Sequence, residues 1–126
     1  MSASPSLRFP LRRHRMGRSD FARVYSEGNR ARGTLMTVAV RENGLDHSRL
    51  GLSIGKKCHK SAVKRNRVRR VFREAFRVSL PELPAGLDVV LIGSVPGIAP
   101  RLGATREELV RMVRKAHRRY REARSC

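Results

Sequence analysis

Apolar residues along this chain follow two periods, and the switches between them mark out the elements. Val68, Val71, Phe72, Ala75 and Phe76 fall at i, i+3, i+4, i+7 and i+8, the spacing of one helix face. At about 100° per residue, Asn66, Arg70, Arg73 and Arg77 fall on the opposite face. Ser61 is suited to cap this helix, and Pro81 and Pro84 stop it soon after Leu80. Residues 34–40 are β-branched and apolar and read as a mostly buried strand. Leu50, Leu52 and Ile54 alternate with Gly51, Ser53 and Gly55, the pattern of a half-buried strand. With the Asn43-Gly44 turn between them, these two strands are expected to pair as a hairpin. Residues 87–92 read as a third strand, and 93–104 as a Gly/Pro-rich loop. Strand, helix and strand over 50–92 suggest a crossover that sets two strands parallel.

Two further helices frame these elements. Thr105 with Glu108 has capping-box spacing and is expected to open a last helix, whose buried stripe is Leu109, Met112, Val113, Ala116 and Tyr120. Near the start, Ser19 reads as an N-cap, Asp20 as a favourable first-turn residue and Gly28 as the stop of a short helix. Its apolar residues Phe21, Val24 and Tyr25 fall at i, i+3 and i+4. That spacing favours core packing, yet an aromatic platform for an unpaired base has the same pattern, and spacing does not decide between them. The chain is read as a single domain over 1–126, with a flexible basic arm at 1–16 and a frayed tail at 121–126.

Charge changes the picture of the central helix. The stretch 56–73 holds nine Lys or Arg residues and no acid. A like-charge run that dense is ordinarily disordered, but here an apolar stripe is threaded through it. The result is a folded helix that anchors with one side and offers a cationic rail with the other. Without acids to pair against, these cations repel one another, and an anionic partner relieves the repulsion. Guanidinium forks suit phosphate oxygens, and Arg supplies 24 of the 29 basic residues. The whole chain carries a formal charge of +19 with pI about 11.8, which points to nucleic acid. No apolar run approaches the ~18 residues of a membrane span and nothing marks the chain for export, so a cytoplasmic protein is expected. Cys58 and Cys126 lack metal-ligand spacing and read as free thiols.

The string Ala62-Val63-Lys64-Arg65-Asn66-Arg67-Val68-Arg69-Arg70, followed by Arg73-Glu74, resembles the RNR signature of the bacterial ribonuclease P protein component family. Gly51-Leu52-Ser53-Ile54-Gly55-Lys56-Lys57 is similar to the strand that leads into that signature. Asp20-Phe21, Val24-Tyr25 and Gly28 are similar to the family's first helix. The resemblance implies an α/β (α+β) two-layer sandwich, a small mixed sheet like that of a ribosomal-protein domain with helices packed on it. It also implies a left-handed βαβ crossover, where general experience (~98% right-handed) would suggest the opposite. In function it implies the protein subunit of a ribonucleoprotein that removes the 5′ leader from precursor transfer RNA. Mg2+ ions held by the RNA subunit would carry out the hydrolysis, with no metal and no catalytic residue supplied by the protein. Carried over residue by residue, RNA contacts fall on Lys64, Arg65, Asn66, Arg67, Arg69, Arg70 and Arg73, and the acid-free charge run adds Lys56, Lys57 and Lys60 as candidate RNA contacts. The leader cleft falls on Phe21 and Tyr25, so the resemblance turns the reading of those rings toward the platform. The expected partners are the catalytic RNA and precursor transfer RNA, with neither membrane nor DNA.

The chain departs from the family in two places. Relatives usually carry basic residues after the strand ending at Ile92, where this chain has Gly93-Ser94-Val95-Pro96-Gly97. The strand at 34–40 has no aromatic, so the cleft is expected to stack less and to lean more on phosphate contacts. Other functions fit less well. A protein ribonuclease needs an acid and a base at one phosphate, whereas His14, His47, His59 and His117 are scattered and no carboxylate is expected to orient them. A leucine-zipper DNA binder needs apolar heptads downstream, which Pro81 and Pro84 forbid. A ribosomal or other structural RNA-binding protein suits the fold and charge, and only the RNR string and the aromatic first helix argue against it.

Overall fold

The computed structural model describes residues 16–93 and 95–125. The elements run α1 (Arg18–Glu27), β1 (Asn29–Arg32), β2 (Thr37–Glu42), β3 (Arg49–Ile54), α2 (Ala62–Ser79), a 3-10 turn (Leu80–Glu82), β4 (Leu87–Gly93) and α3 (Leu102–Arg124). The strands form one mixed sheet in the order β1-β2-β4-β3. β1 with β2 and β2 with β4 are antiparallel, while β3 and β4 are parallel neighbours joined through α2.

The expected hairpin between the second and third strands does not form, because β4 lies between them. Val89 of β4 is registered with Val40 on one side and Leu50 on the other. The physical reason is burial: six of the seven residues of β4 are buried, a strand that must be covered on both faces and paired on both edges. Ser48 Oγ donates to Pro84 O at 3.0 Å and accepts from Leu87 N–H at 3.1 Å, which fastens the connector to the start of β4.

On one face of the sheet, α2 and α3 close the main core. Phe72 and Phe76 are fully buried there against Val38, Val40, Val89 and Leu91, with Leu109, Val113 and Ala116 from α3. Each of these Val, Leu and Phe side chains contributes about 1.5–3 kcal/mol of transfer free energy. This is the two-layer α+β sandwich, and both stripes read from the sequence face it except for Val71, which is half-buried and lies outside the core cluster. α1 lies on the opposite face, where Val24 and Met16 pack on Ala39 and Val90. Cys58 is a buried free thiol whose pKa is pushed up by that burial. Cys126 and the greater part of the expected arm, residues 1–15, lie outside the described residues.

Several boundaries differ from expectation, each for a local reason. α1 starts at Arg18 with Gly17 as its cap, because the Asp20 carboxylate reaches back to Gly17 N–H at 2.9 Å and leaves Ser19 inside the helix. α3 starts at Leu102, not at Thr105, whose hydroxyl donates to Arg101 O at 2.6 Å. β2 starts only at Thr37, because the backbone N–H groups of Thr34, Leu35 and Met36 point at Glu108 instead of a neighbouring strand. The expected frayed tail is helical through Arg124, whose guanidinium lies 3.4 Å from the Tyr120 ring centroid and donates to the carbonyl of Glu27. Met16, placed in the arm by the sequence reading, is buried under α1. β1 was not anticipated at all, since its four residues Asn29–Arg32 are mostly polar.

Candidate nucleic-acid interface

The basic residues of 56–73 divide into two groups once α2 is formed. Ser61 caps the helix as predicted, its hydroxyl accepting Lys64 N–H at 3.3 Å. Arg65 folds back and donates to the carbonyls of His59 (3.0 Å) and Lys60 (2.8 Å). Arg69 donates to Asn66 Oδ1 (2.8 Å) and to Ile54 O (3.2 Å). These two half-buried arginines therefore brace the connector between β3 and α2, with fewer donors left for a ligand. Lys56, Lys57, Lys60, Lys64, Arg67, Arg70 and Arg73 are all exposed. Arg77, expected to continue the rail, instead pairs with Glu74, the sole acid of α2. Their shared hydrogen bond lowers the Glu74 pKa and raises that of Arg77. What remains is a strip of seven cations with no carboxylate among them.

A second surface lies on the other side of the sheet, and strand register explains its shape. Alternate residues of each strand point to the α1 face, so the register partners form rows across it. In one row, Arg41 of β2, Asp88 of β4 and Arg49 of β3 stand side by side. Asp88 is fully buried and takes a two-pronged bond from Arg49, 2.8 Å at each oxygen, plus Asn43 Nδ2 at 2.9 Å. Arg49 also reaches Asp20 at 3.1 Å and Arg41 reaches Glu27 at 3.0 Å, so this row moors α1 to the sheet at both ends. The Gly17 N–H bond foremost, helped by Arg49, holds the Asp20 carboxyl below its usual range. The Asp88 bonds foremost, with its charge and that of Asp20, raise the Arg49 pKa.

In the next row, Ala39, Val90 and Gly51 sit beneath α1, and Phe21 rests on Gly51. A Cβ at position 51 would stand 2.5 Å from the ring, so only glycine admits Phe21 there. In the last row, Arg32, Thr37, Ile92 and Ser53, Ile92 still packs against the α1 cluster, with Arg32 exposed and the other three half-buried. Phe21 and Tyr25 lie on α1 with ring centroids 6.4 Å apart and planes tilted by 38°. Phe21 is half-buried and Tyr25 exposed, with the Arg30 guanidinium 5.1 Å from the tyrosine ring centroid. Phe21 thus packs on the sheet while part of its ring stays accessible, and Tyr25 is outside the core. Arg30 and Arg32 were missed from the sequence because β1 was missed. The mooring set Asp20, Arg49 and Asp88 was missed too, although a lone Asp within an apolar strand was a readable signal.

This arrangement suits binding: rings to stack on bases, and guanidiniums and ammoniums to meet phosphates. The described histidines are engaged separately, His47 with Asp46 and His117 with Glu42 at 2.8 Å each, and His59 with Ile98 O at 2.5 Å. Two of them do have carboxylate partners, contrary to expectation, each at a different place in the fold. Hydrogen bonds to His117 and Arg121 lower the Glu42 pKa. Among the described residues, no group of three or more His, Cys, Asp or Glu is placed to hold a metal ion, and no helix is long and apolar enough to cross a membrane.

A small mixed sheet with a cationic helix on one side and a pair of aromatic rings beside basic side chains on the other has the make-up of an α+β RNA-binding domain. Residues 11–121 match the sequence model of the family described as Ribonuclease P. The chain belongs to the ribonuclease P protein family. It is 34% identical over 100 residues to the ribonuclease P protein component of Pseudanabaena sp., covering 79% of this chain and 86% of that one. The Pseudomonas putida protein component is 53% identical over 60 residues, a match that spans 48% of this chain and 44% of that relative. Among solved structures, the RNase P protein from Thermotoga maritima superposes with a TM-score of 0.68 at 31% identity, over 86% of this chain and 96% of the other.

Proposed function

We propose that this chain is the protein subunit of ribonuclease P, binding the catalytic RNA through the α2 strip and the 5′ leader of precursor transfer RNA in the α1–sheet cleft. The observation that carries this reading is the strip itself, seven exposed cations on and before α2 with the one acid of that helix taken by Arg77. The two surfaces have different chemistry. The strip offers phosphate contacts that position a folded RNA without reading its bases. The cleft offers rings to a single strand whose bases are unstacked, with Arg30 and Arg32 near its phosphates. Phe21 and Tyr25 are its leader contacts.

In this reading the protein gathers RNA and substrate, and hydrolysis takes place on the RNA. Bound Mg2+ would supply an activated water and stabilise the leaving oxygen. The carboxylates favour its placement on RNA, since a hard-metal site needs several free oxygens. Both oxygens of Glu108 are taken by donors from the Thr34 to Met36 turn, and Asp88 and Asp20 are held by Arg49.

The test is cleavage of precursor transfer RNA by protein alone, by a bacterial ribonuclease P RNA alone, and by both, across a magnesium titration. The expected result is no cleavage by protein alone and a lower magnesium requirement with both. Correct 5′ cleavage by protein alone would overturn the assignment of catalysis to RNA. In the complete enzyme, Tyr25→Ala is expected to weaken precursor binding by about 1–3 kcal/mol while sparing mature transfer RNA. Equal losses on both substrates would remove Tyr25 from the leader site. Phe21→Ala should show the same substrate bias with some loss of stability, because its ring also packs on Gly51.

A further inference from the structure

The α2 strip is not purely cationic. Between the first half of α2 and the loop 97–100 runs an open groove of about 530 Å³, within the size range of sites that accept one small ligand. Its floor is apolar: Val68, Val71, Ile98 and Pro100. Lys64, Arg67 and Arg70 line it too, all exposed, and no acid does. Val71 is half-buried and lies outside the packed core cluster, and it lines this groove. The loop wall is held in place. Gly97 N–H donates to Cys58 O at 2.8 Å, and His59 Nε2 donates to Ile98 O at 2.5 Å. Gly97 makes the turn at φ +72, a conformation that favours glycine.

We propose that this groove receives the base of one unstacked nucleotide of the RNA partner, with Lys64, Arg67 and Arg70 on its phosphates. The inference rests on the reading of the chain as an RNA-binding subunit and goes beyond phosphate contact by the rail. The charge selects a polyanion, and the apolar floor beside the charge selects a part of it that is planar and apolar-faced. A nucleotide turned out of its helix has both properties, its base flat and its phosphate one bond system away. A guanidinium can also lie on the open face of that base, a common mode of holding unpaired RNA. The uncharged stretch 97–100 of that loop thus serves as an apolar wall.

Two variants test this without touching a cation. Val71→Ser removes apolar floor, and Ala99→Leu fills the groove from an exposed loop position outside the core. Binding to a bacterial ribonuclease P RNA transcribed in vitro is measured from low to high salt, with thermal melting of each variant. Base insertion releases no counterions, so both variants are expected to bind about 5–10-fold more weakly at every salt concentration, with the slope of log affinity against log salt unchanged. A photo-crosslinking side chain at position 99 is expected to join one discrete nucleotide of that RNA. Parental affinity in both variants, or a loss that appears only as a changed salt slope, would overturn the groove while leaving RNA binding intact. Failure of the unsubstituted chain to bind the RNA would overturn the proposed function itself.

Discussion

Raising salt from 50 to 200 mM is expected to weaken binding of this chain to a ribonuclease P RNA by about a thousandfold. Each phosphate neutralised on RNA or DNA contributes a slope of about 0.7–0.9 in log affinity against log salt. Seven exposed cations between Lys56 and Arg73 set the upper bound on contacts from this strip, which gives a slope of roughly 5–6. Arg70→Ala or Arg73→Ala should lower that slope by about 0.7–0.9 each. Neither should move the melting temperature by more than a few degrees, because both side chains stand in solvent. Arg65→Ala and Arg69→Ala should behave differently, losing about 0.5–1.5 kcal/mol of stability per bond to the carbonyls of His59 and Lys60 in the connector and of Ile54 at the end of β3. Phe72→Ala marks the other extreme, with about 3–5 kcal/mol lost from the core. A salt slope untouched by Arg70→Ala, or equal destabilisation by Arg70→Ala and Phe72→Ala, would show the helix faces to be wrongly assigned.

Glu108→Ala is expected to destabilise the fold by about 3–5 kcal/mol although no core apolar group is removed. The Glu108 carboxylate is 3% exposed and accepts four bonds. Oε1 takes Thr34 N–H at 3.0 Å and its hydroxyl at 2.6 Å, and Oε2 takes Leu35 N–H at 2.7 Å and Met36 N–H at 3.0 Å. Truncation leaves three backbone donors of the β1–β2 connection without their acceptor. Bonds to a charged group are worth about 1.5–3 kcal/mol each, and only part of that is recovered from water in a half-buried turn. Glu108→Gln should also be costly, because its amide turns a donor toward those N–H groups. The neighbouring Glu107 is exposed, and Glu107→Ala should stay within about 0.5 kcal/mol of the parent. Urea denaturation of the three variants decides the matter. Equal midpoints for Glu107→Ala and Glu108→Ala would mean that the carboxylate does not hold the turn. Because β1 carries Arg30 and Arg32, loosening it should also reduce leader-dependent affinity.

The faces of α2 and α3 were legible in the sequence, because helix periodicity repeats every few residues and needs no distant partner to be seen. The Ser61 cap and the apolar strand ending at Ile92 were legible for the same reason, and the RNR string pointed to the family directly. Which strands lie side by side was not. Segments 34–40 and 50–54 looked like a hairpin because they are adjacent in the chain, yet β4 buries more by entering between them. Glu108 looked like a local cap because Thr105 stands at the right spacing, but its donors are 72 to 74 residues away in the chain. The division of the cations into braces and free contacts was hidden likewise, since Arg65 and Arg69 are chemically identical to Arg67 and Arg70. Only the folded connector supplies carbonyls for one pair and solvent for the other. Local pattern determines what each segment can become, whereas pairing and polar partnership are settled by competition among segments far apart, and that competition takes place only in three dimensions.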